Sequence, residues 1–375
     1  MPSDGAGASR ALMVYLEPTP YVLALVRHVA SRAPTPVDAL FVAKNVSQPW
    51  NLPLEGISAR HLSEGAFAAL REIAGALRSG KYGLVHLAGW GHPLLLVAMM
   101  LAWVKGIPVA IESDSTVQRR QSWPRRAAKR LAYPMLFRVP AIFLPGGTRQ
   151  KRYLMRYGVP ETRMVVAQMT VDIVEVVNKV SAEGRPSRRA GMGVEPEHCL
   201  FLYVGRLEPP KDIAGLLEAF AELSRQSERA HLCMVGDGTL RPMVESAASR
   251  LPRLHYLGRL SGESLWDTYA AADVLVLPSV FEPWGLVINE AMAIGLPVIA
   301  SDRVGCVEDL VVDGRTGIVV EAGSRVSLAS AMLRLAEDAN ARASMGEAAR
   351  RHIAPWTIEA EAGIVVDAWR RVARA

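Results

Sequence analysis

Short apolar runs alternate with longer amphipathic segments along the first half of the chain. Leu12–Tyr15, Ala39–Val42, Leu84–Leu87, Val109–Glu112 and Ala141–Leu144 are too short for stable helices and read as buried strands. Segments near Tyr21–Ser31, Glu64–Ser79, Pro93–Lys105 and Arg125–Phe137 carry helical spacing instead. Repeated strand-then-helix order predicts an α/β fold with a parallel, doubly wound sheet. A polar stretch, Ser181-Ala-Glu-Gly-Arg-Pro-Ser-Arg-Arg-Ala-Gly-Met-Gly193, then breaks the pattern and reads as a linker. A second series follows, with strands at Leu200–Val204, His231–Val235, Leu254–Leu257, Val274–Leu277, Pro297–Ala300 and Gly317–Val320. Helices are expected at Ile213–Leu223 and Leu240–Ser249, and no internal repeat is visible.

These patterns divide the chain into an N-terminal domain over 1–178, a linker over 179–195, and a C-terminal domain over 196–356. A last amphipathic helix over 357–375 needs a surface and is expected to pack back on the N-terminal domain. A length of 375 residues with 50% apolar residues suits two domains of ordinary size. In such sheets ligands bind outside the carboxyl ends of the strands, so loops that follow strands are the places to look.

Four such loops carry candidate chemistry. Val204-Gly205-Arg206-Leu207-Glu208-Pro209-Pro210-Lys211 offers a tight turn at Gly205 and two cations, Arg206 and Lys211, able to reach one diphosphate. Two solvated cations would leave the same pattern. Gly236-Asp237-Gly238 is a glycine turn that permits close backbone approach to a ligand, or is a plain turn. Arg259 and Leu260 close a strand exit where a nucleobase can bond the backbone. The fourth loop, Glu282-Pro-Trp-Gly-Leu-Val-Ile-Asn-Glu290, places two carboxylates around a helix start. Pro283 keeps Glu282 out of helical geometry, and the helix can begin near Gly285 or Leu286. Free N–H groups there suit a phosphate, and flanking carboxylates suit hydroxyls, the combination a nucleotide-sugar presents. An ordinary βαβ connection with two solvated glutamates fits that segment equally well on its own.

In this order the four loops resemble the C-terminal half of GT-B glycosyltransferases of the large retaining family 4 type, closely over about residues 200–320. The resemblance implies two Rossmann-like domains facing a cleft, and transfer of a sugar from a UDP- or GDP-linked donor with retained anomeric configuration. It implies that Arg206 and Lys211 hold the diphosphate, Glu290 the ribose hydroxyls and Glu282 the donor sugar. It further assigns donor binding to Gly205, Gly236, Gly238, Arg259, Leu260, Pro283, Trp284, Gly285, Leu286 and Val287, with backbone N–H groups of Trp284–Val287 at the helix start. Trp284 is also a candidate wall of the sugar pocket. Neither a metal nor another cofactor is expected, because cations and the helix terminus supply the charge stabilisation. A nucleotide-sugar epimerase or a nucleotide-sugar-binding pseudoenzyme is the alternative reading.

The N-terminal half departs from the family pattern. Where relatives carry a Gly-Gly loop after the first strand, this chain has Glu17-Pro-Thr-Pro-Tyr21. Asp114 stands where several relatives place a functional histidine, which makes it a catalytic candidate. His92 and Glu17 are acceptor-region candidates. The acceptor implied is a saccharide or a lipid-linked saccharide, in glycan or glycolipid assembly.

Charge sharpens the picture. Residues 1–178 hold 21 Lys/Arg against 11 Asp/Glu, and the rest hold 22 against 26. Between Ser115 and Pro160 lie 11 basic residues and no acidic one. Arg119, Arg120, Arg125, Arg126, Lys129 and Arg130 are interleaved with Trp123, Leu131, Tyr133, Met135 and Phe137, a pattern that suits an anionic membrane surface or a solvated basic helix. No nucleic-acid module is apparent. Ala11–Tyr15 runs straight into Glu17, Pro18 and Pro20, unlike a secretory signal, and Pro93–Val104 is too short to cross a bilayer and reads as a buried helix. The expected location is cytoplasmic, with peripheral attachment to the inner face of the cell membrane. Cys199, Cys233 and Cys306 lack metal-ligand spacing and read as core residues.

Overall fold

The computed structural model describes residues 9–44, 52–117, 123–180 and 183–373. The chain forms two compact units, residues 1–170 with 358–375, and residues 171–357.

The first unit contains β1 (Arg10–Tyr15), α1 (Pro20–Arg32), β2 (Val37–Phe41), β3 (Ser58–His61), α2 (Ala66–Arg78) and β4 (Tyr82–Leu87). It continues with α3 (Pro93–Val104), β5 (Val109–Ser113), α4 (Trp123–Leu136), β6 (Ile142–Pro145) and α5 (Thr148–Arg156). The second unit contains α6 (Ile173–Lys179), α7 (Gly184–Ala190), β7 (Cys199–Val204), α8 (Ile213–Gln226), β8 (Ala230–Val235), α9 (Arg241–Ala248), β9 (Leu254–Tyr256) and α10 (Glu263–Ala271). Next come β10 (Val274–Leu277), α11 (Leu286–Ala293), β11 (Val298–Ser301), α12 (Val307–Leu310), β12 (Gly317–Val320), α13 (Arg325–Glu337) and α14 (Ala339–Ile353). The last helix, α15 (Ile358–Ala373), returns to the first unit and packs on α1.

Both sheets are wholly parallel and share one strand order. The first runs β3-β2-β1-β4-β5-β6 and the second β12-β11-β10-β7-β8-β9. The chain reverses direction across each sheet at one place, β1 beside β4 and β7 beside β10. That switch point is where such sheets bind ligands. Strands buried on both faces read as unbroken apolar runs, which is why β7, β8, β10 and β11 are nearly all apolar and closed to solvent. Side chains alternate between faces. In the first sheet Leu12, Val14, Val85, Leu87, Val109 and Ile111 face α2 and α3, while Met13, Tyr15, Leu84 and Ala110 face α1 and α15.

Three sequence expectations need correction. The stretch read as a linker over 179–195 contains α7, which packs on α10 within the second unit. Arg185 and Arg189 reach Asp273 at 2.6 and 2.8 Å, and these bonds offset the poor helix propensity of Gly-Arg-Pro-Ser. Residues 171–178, assigned above to the N-terminal domain, likewise belong to the second unit. The helix at Pro93–Val104 is buried on one side only: Met100, Trp103 and Val104 are exposed. No helix of the described residues is long and apolar enough to cross a membrane. All three cysteines are buried and free.

Candidate functional site

The loops that follow β7, β8 and β9 are laced together by backbone hydrogen bonds. Leu207 N–H donates to Asp237 O at 2.9 Å, Leu240 N–H to Leu207 O at 2.9 Å, and Gly236 N–H to Gly258 O at 2.8 Å. A side chain at Gly236 would place its Cβ 1.8 Å from the Gly205 carbonyl oxygen, and one at Gly238 would meet the Leu207 carbonyl oxygen at 2.5 Å. Both glycines therefore let two strand-end loops touch, at the same turn that the sequence offers for close backbone approach to a ligand. Arg259 is exposed on the neighbouring loop, with Leu260 half-buried beside it.

Lys211 ends a short 3-10 turn, Pro209–Lys211, and Asp212 adopts φ 54° to cap α8 through Gly215 N–H. The Lys211 side chain reaches the loop that follows β10. Its Nζ pairs with Glu282 Oε2, both side chains being largely shielded. Phe281 N–H also donates to Pro210 O at 3.2 Å, so the β7 and β10 loops meet at the switch point. Arg206 is exposed and its carbonyl accepts the Tyr203 hydroxyl at 2.8 Å.

Glu282 is extended, bridged to Val304 and followed by Pro283. α11 starts at Leu286 after Gly285, whose φ of 103° only glycine adopts comfortably. No described acceptor meets the N–H groups of Leu286 and Val287, so the α11 start presents open donors beside the Lys211–Glu282 pair. Trp284 is corrected from its expected place in the sugar pocket: its side chain is buried, its indole N–H donates to Asn289 Oδ1 at 3.1 Å, and its ring packs near Trp356. Only its backbone remains a candidate.

Glu290 lies one turn into α11, and the hydroxyl of fully buried Tyr269 donates to its Oε2 at 2.5 Å. Burial pushes the Glu290 carboxyl up to about 7, although the Tyr269 hydrogen bond works in the opposite direction. Tyr269 comes from α10 and carried no sequence signal. Because the folded state holds this proton above the usual carboxylate range, Glu290 costs stability as pH rises from the ordinary value of 4.5 through 7. Glu290→Gln is therefore expected to raise the melting temperature more at pH 8 than at pH 5. Equal shifts at both values would contradict a buried ionising carboxylate.

In the first unit, Glu17 follows β1, Asp114 is exposed at the end of β5, and His92 caps α3. Its Nδ1 accepts Leu94 N–H at 3.2 Å, which gives His92 a helix-capping role. Arg125, Arg126 and Arg130 are exposed on α4. Lys129 is corrected: its Nζ turns inward, 3.4 Å from the Tyr153 hydroxyl and 5.5 Å from the Tyr133 ring centre, so it does not belong to an outward cationic face. Arg119 and Arg120 lie outside the described residues. Among the described residues, no group of three or more His, Cys, Asp or Glu is placed to hold a metal ion.

Known proteins resemble this arrangement. The family model for glycosyl transferases group 1 matches residues 185–352. A D-inositol 3-phosphate glycosyltransferase of Rhodococcus erythropolis is 30% identical over 365 residues, covering 85% of this chain and 78% of that one. A protein of the same description from Streptomyces avermitilis is 30% identical over 329 residues, covering 80% and 68%. Among solved structures, Anabaena HepE in complex with UDP and glucose superposes with a TM-score of 0.76 at 18% identity, covering 97% of this chain and 100% of that one. Sucrose-phosphate synthase from Thermosynechococcus elongatus gives 0.74 at 20% identity, covering 97% and 99%. With the two like-ordered parallel sheets and these relatives together, the chain belongs to the glycosyl transferases group 1 family and is a glycosyltransferase of GT-B fold.

Proposed function

We propose that this glycosyltransferase takes its sugar from a UDP- or GDP-linked donor held on the second unit, with retention at the anomeric carbon. The acceptor is a polyhydroxylated compound, a saccharide or a lipid-linked saccharide. The observation that carries the reading is the Lys211–Glu282 pair at the β7/β10 switch point, beside the open N–H groups of α11. Lys211 and Arg206 meet the diphosphate, and the α11 donors share its charge. The donor sugar takes Glu282 from Lys211 as its hydroxyls arrive. Glu290, held on one oxygen by Tyr269, keeps the other for the ribose. Negative charge that grows on the leaving diphosphate is then met by groups already in place, and such preorganised contacts are usually the largest single contribution to catalysis. The UDP bound to Anabaena HepE supports a uridine donor for the shared fold. The test is a panel of UDP-, GDP- and other nucleotide-sugars, read by thermal stabilisation and slow release of free nucleotide. One donor is expected to act in both assays, and silence across the panel would overturn the reading.

The same proposal places the protein on an anionic membrane. On α4, Trp123 and Leu131 are each 80% exposed and Met135 is also exposed, beside Arg125, Arg126 and Arg130. Apolar rings and chains flanked by cations fit the interface of an anionic leaflet, each cation contributing about 1 kcal/mol. Charge reversal at Arg125, Arg126 and Arg130 together is expected to abolish flotation with phosphatidylserine or phosphatidylglycerol vesicles. Persistent flotation would show that α4 is not the docking face.

A further inference from the structure

The face of the first sheet covered by α1 and α15 is apolar along most of its length and turns polar at its carboxyl edge. There Tyr15 ends β1, and His86 and Glu112 stand one residue before the ends of β4 and β5. The Tyr15 hydroxyl donates to Glu112 Oε1 at 2.8 Å, and His86 Nε2 lies 2.8 Å from the same oxygen. On the other side of the ring, the Trp369 indole N–H of α15 donates to His86 Nδ1 at 3.0 Å. An indole nitrogen can only donate, so His86 Nδ1 is the acceptor and its proton sits on Nε2, directed at Glu112. The ring is thus held in one tautomer and one orientation.

Glu361 of α15 is buried nearby. Burial first, and then the charge of Glu112, push its carboxyl well above the usual range. The phenol of Tyr21 is also raised, to about 12, by burial and by Asp114, Glu112 and Glu17 around it. Tyr15, His86, Trp369 and Glu361 are all closed to solvent. Within the hydrogen-bonded group of Tyr15, His86, Trp369 and Glu112, it is Glu112 that opens outward, with a side chain 22% exposed. Its Oε1 is filled by two donors, while its Oε2 takes no hydrogen bond from any described residue. Apolar residues of similar volume would hold α15 at least as well as buried polar groups do. A chain of shielded donors that ends in one open carboxylate oxygen is instead the build of a positioned acceptor group, fixed by a supporting shell.

We infer that Glu112 anchors the acceptor substrate: Oε2 receives a hydrogen bond from a hydroxyl of a polyol, with Tyr15, His86 and Trp369 as its positioning residues. The carboxylate selects a neutral hydroxyl at this point and repels a phosphate. The inference rests on the reading of the first unit as the acceptor side.

Glu112→Gln keeps an oxygen for Tyr15 and His86 and turns an amide outward, so it separates anchoring from packing. With the donor found by the nucleotide-sugar panel, and with myo-inositol, D-inositol 3-phosphate and glucose as acceptor probes, the variant is expected to raise acceptor KM about tenfold or more, the worth of one hydrogen bond to a charged group. Its affinity for the free nucleotide should match the wild type. Trp369→Phe, which frees His86 Nδ1, should raise acceptor KM by a smaller factor while kcat falls less. A purely structural clasp would lower thermal stability in both variants and leave acceptor KM unchanged, and that result overturns the inference. Loss of nucleotide affinity in Glu112→Gln would overturn it as well. If the wild type releases nucleotide but transfers to no probe, the acceptor reading fails, and the anchor fails with it. If no donor is hydrolysed at all, it is the donor reading that fails, and unaltered D-inositol 3-phosphate and myo-inositol binding by Glu112→Gln in titration calorimetry then overturns the anchor.

Discussion

Lys211→Ala is expected to lower turnover about 10²–10³-fold, the range lost when one preorganised charge-stabilising group is removed from an active site. The effect has two parts. Lys211 is a shielded cation on a short turn that Pro209, Pro210 and the Asp212 cap hold in place, so its charge needs little reorganisation as the leaving group forms. Its loss also leaves the Glu282 carboxylate unpaired next to the position proposed for the diphosphate. An anion facing an anion opposes the step that Lys211 favours. The check is kcat at saturating donor, with nucleotide affinity measured alongside. A fall in kcat much larger than the loss of affinity marks stabilisation of the transition state, whereas full activity would remove Lys211 from the mechanism.

The largest expected effect on stability lies away from these loops. Asp273→Ala should destabilise the second unit by about 3–5 kcal/mol, the usual cost of removing one partner from a shielded charge network. Asp273 binds Arg185 at 2.6 Å and Arg189 at 2.8 Å, and it accepts the Leu200 N–H at 2.8 Å. Arg189 is buried and also donates to the carbonyls of Ala271, Glu195 and His198. Without Asp273 that guanidinium keeps its carbonyl partners but loses its counter-ion, and α7 loses its main attachment. Urea unfolding followed by a probe confined to the second unit would measure the loss. A change below about 1 kcal/mol, the worth of an exposed pair, would contradict a shielded network.

Much of the fold can be read directly from the sequence because parallel strands are covered on both faces. Such strands appear as compact apolar runs, and Gly and Pro mark the loops at their ends. β3 escapes that logic. Its sequence, Ser-Ala-Arg-His, lies at a sheet edge where no second neighbour demands apolar residues. α7 escapes it for another reason: its helix depends on Asp273, far along the chain, and local propensity argues against it.

At the candidate site, loop positions were legible while side-chain directions were not. The Pro283 break and the helix start at Leu286 follow from local backbone rules. The inward turn of Trp284 depends on Asn289 and Trp356, and that of Lys129 on Tyr133 and Tyr153. Tyr269 and Glu112 gave no local sign at all, since their meaning comes from Glu290 on one side and from Tyr15 and His86 on the other.

The central claim is that the strand-end loops at the second switch point hold the donor. Amide hydrogen exchange, with and without the nucleotide-sugar that supports nucleotide release, tests it most directly. Slower exchange is predicted in the segments containing Gly205–Lys211, Gly236–Gly238, Arg259–Leu260 and Glu282–Glu290. Unchanged exchange in all four, with protection appearing elsewhere in the chain, would contradict the account.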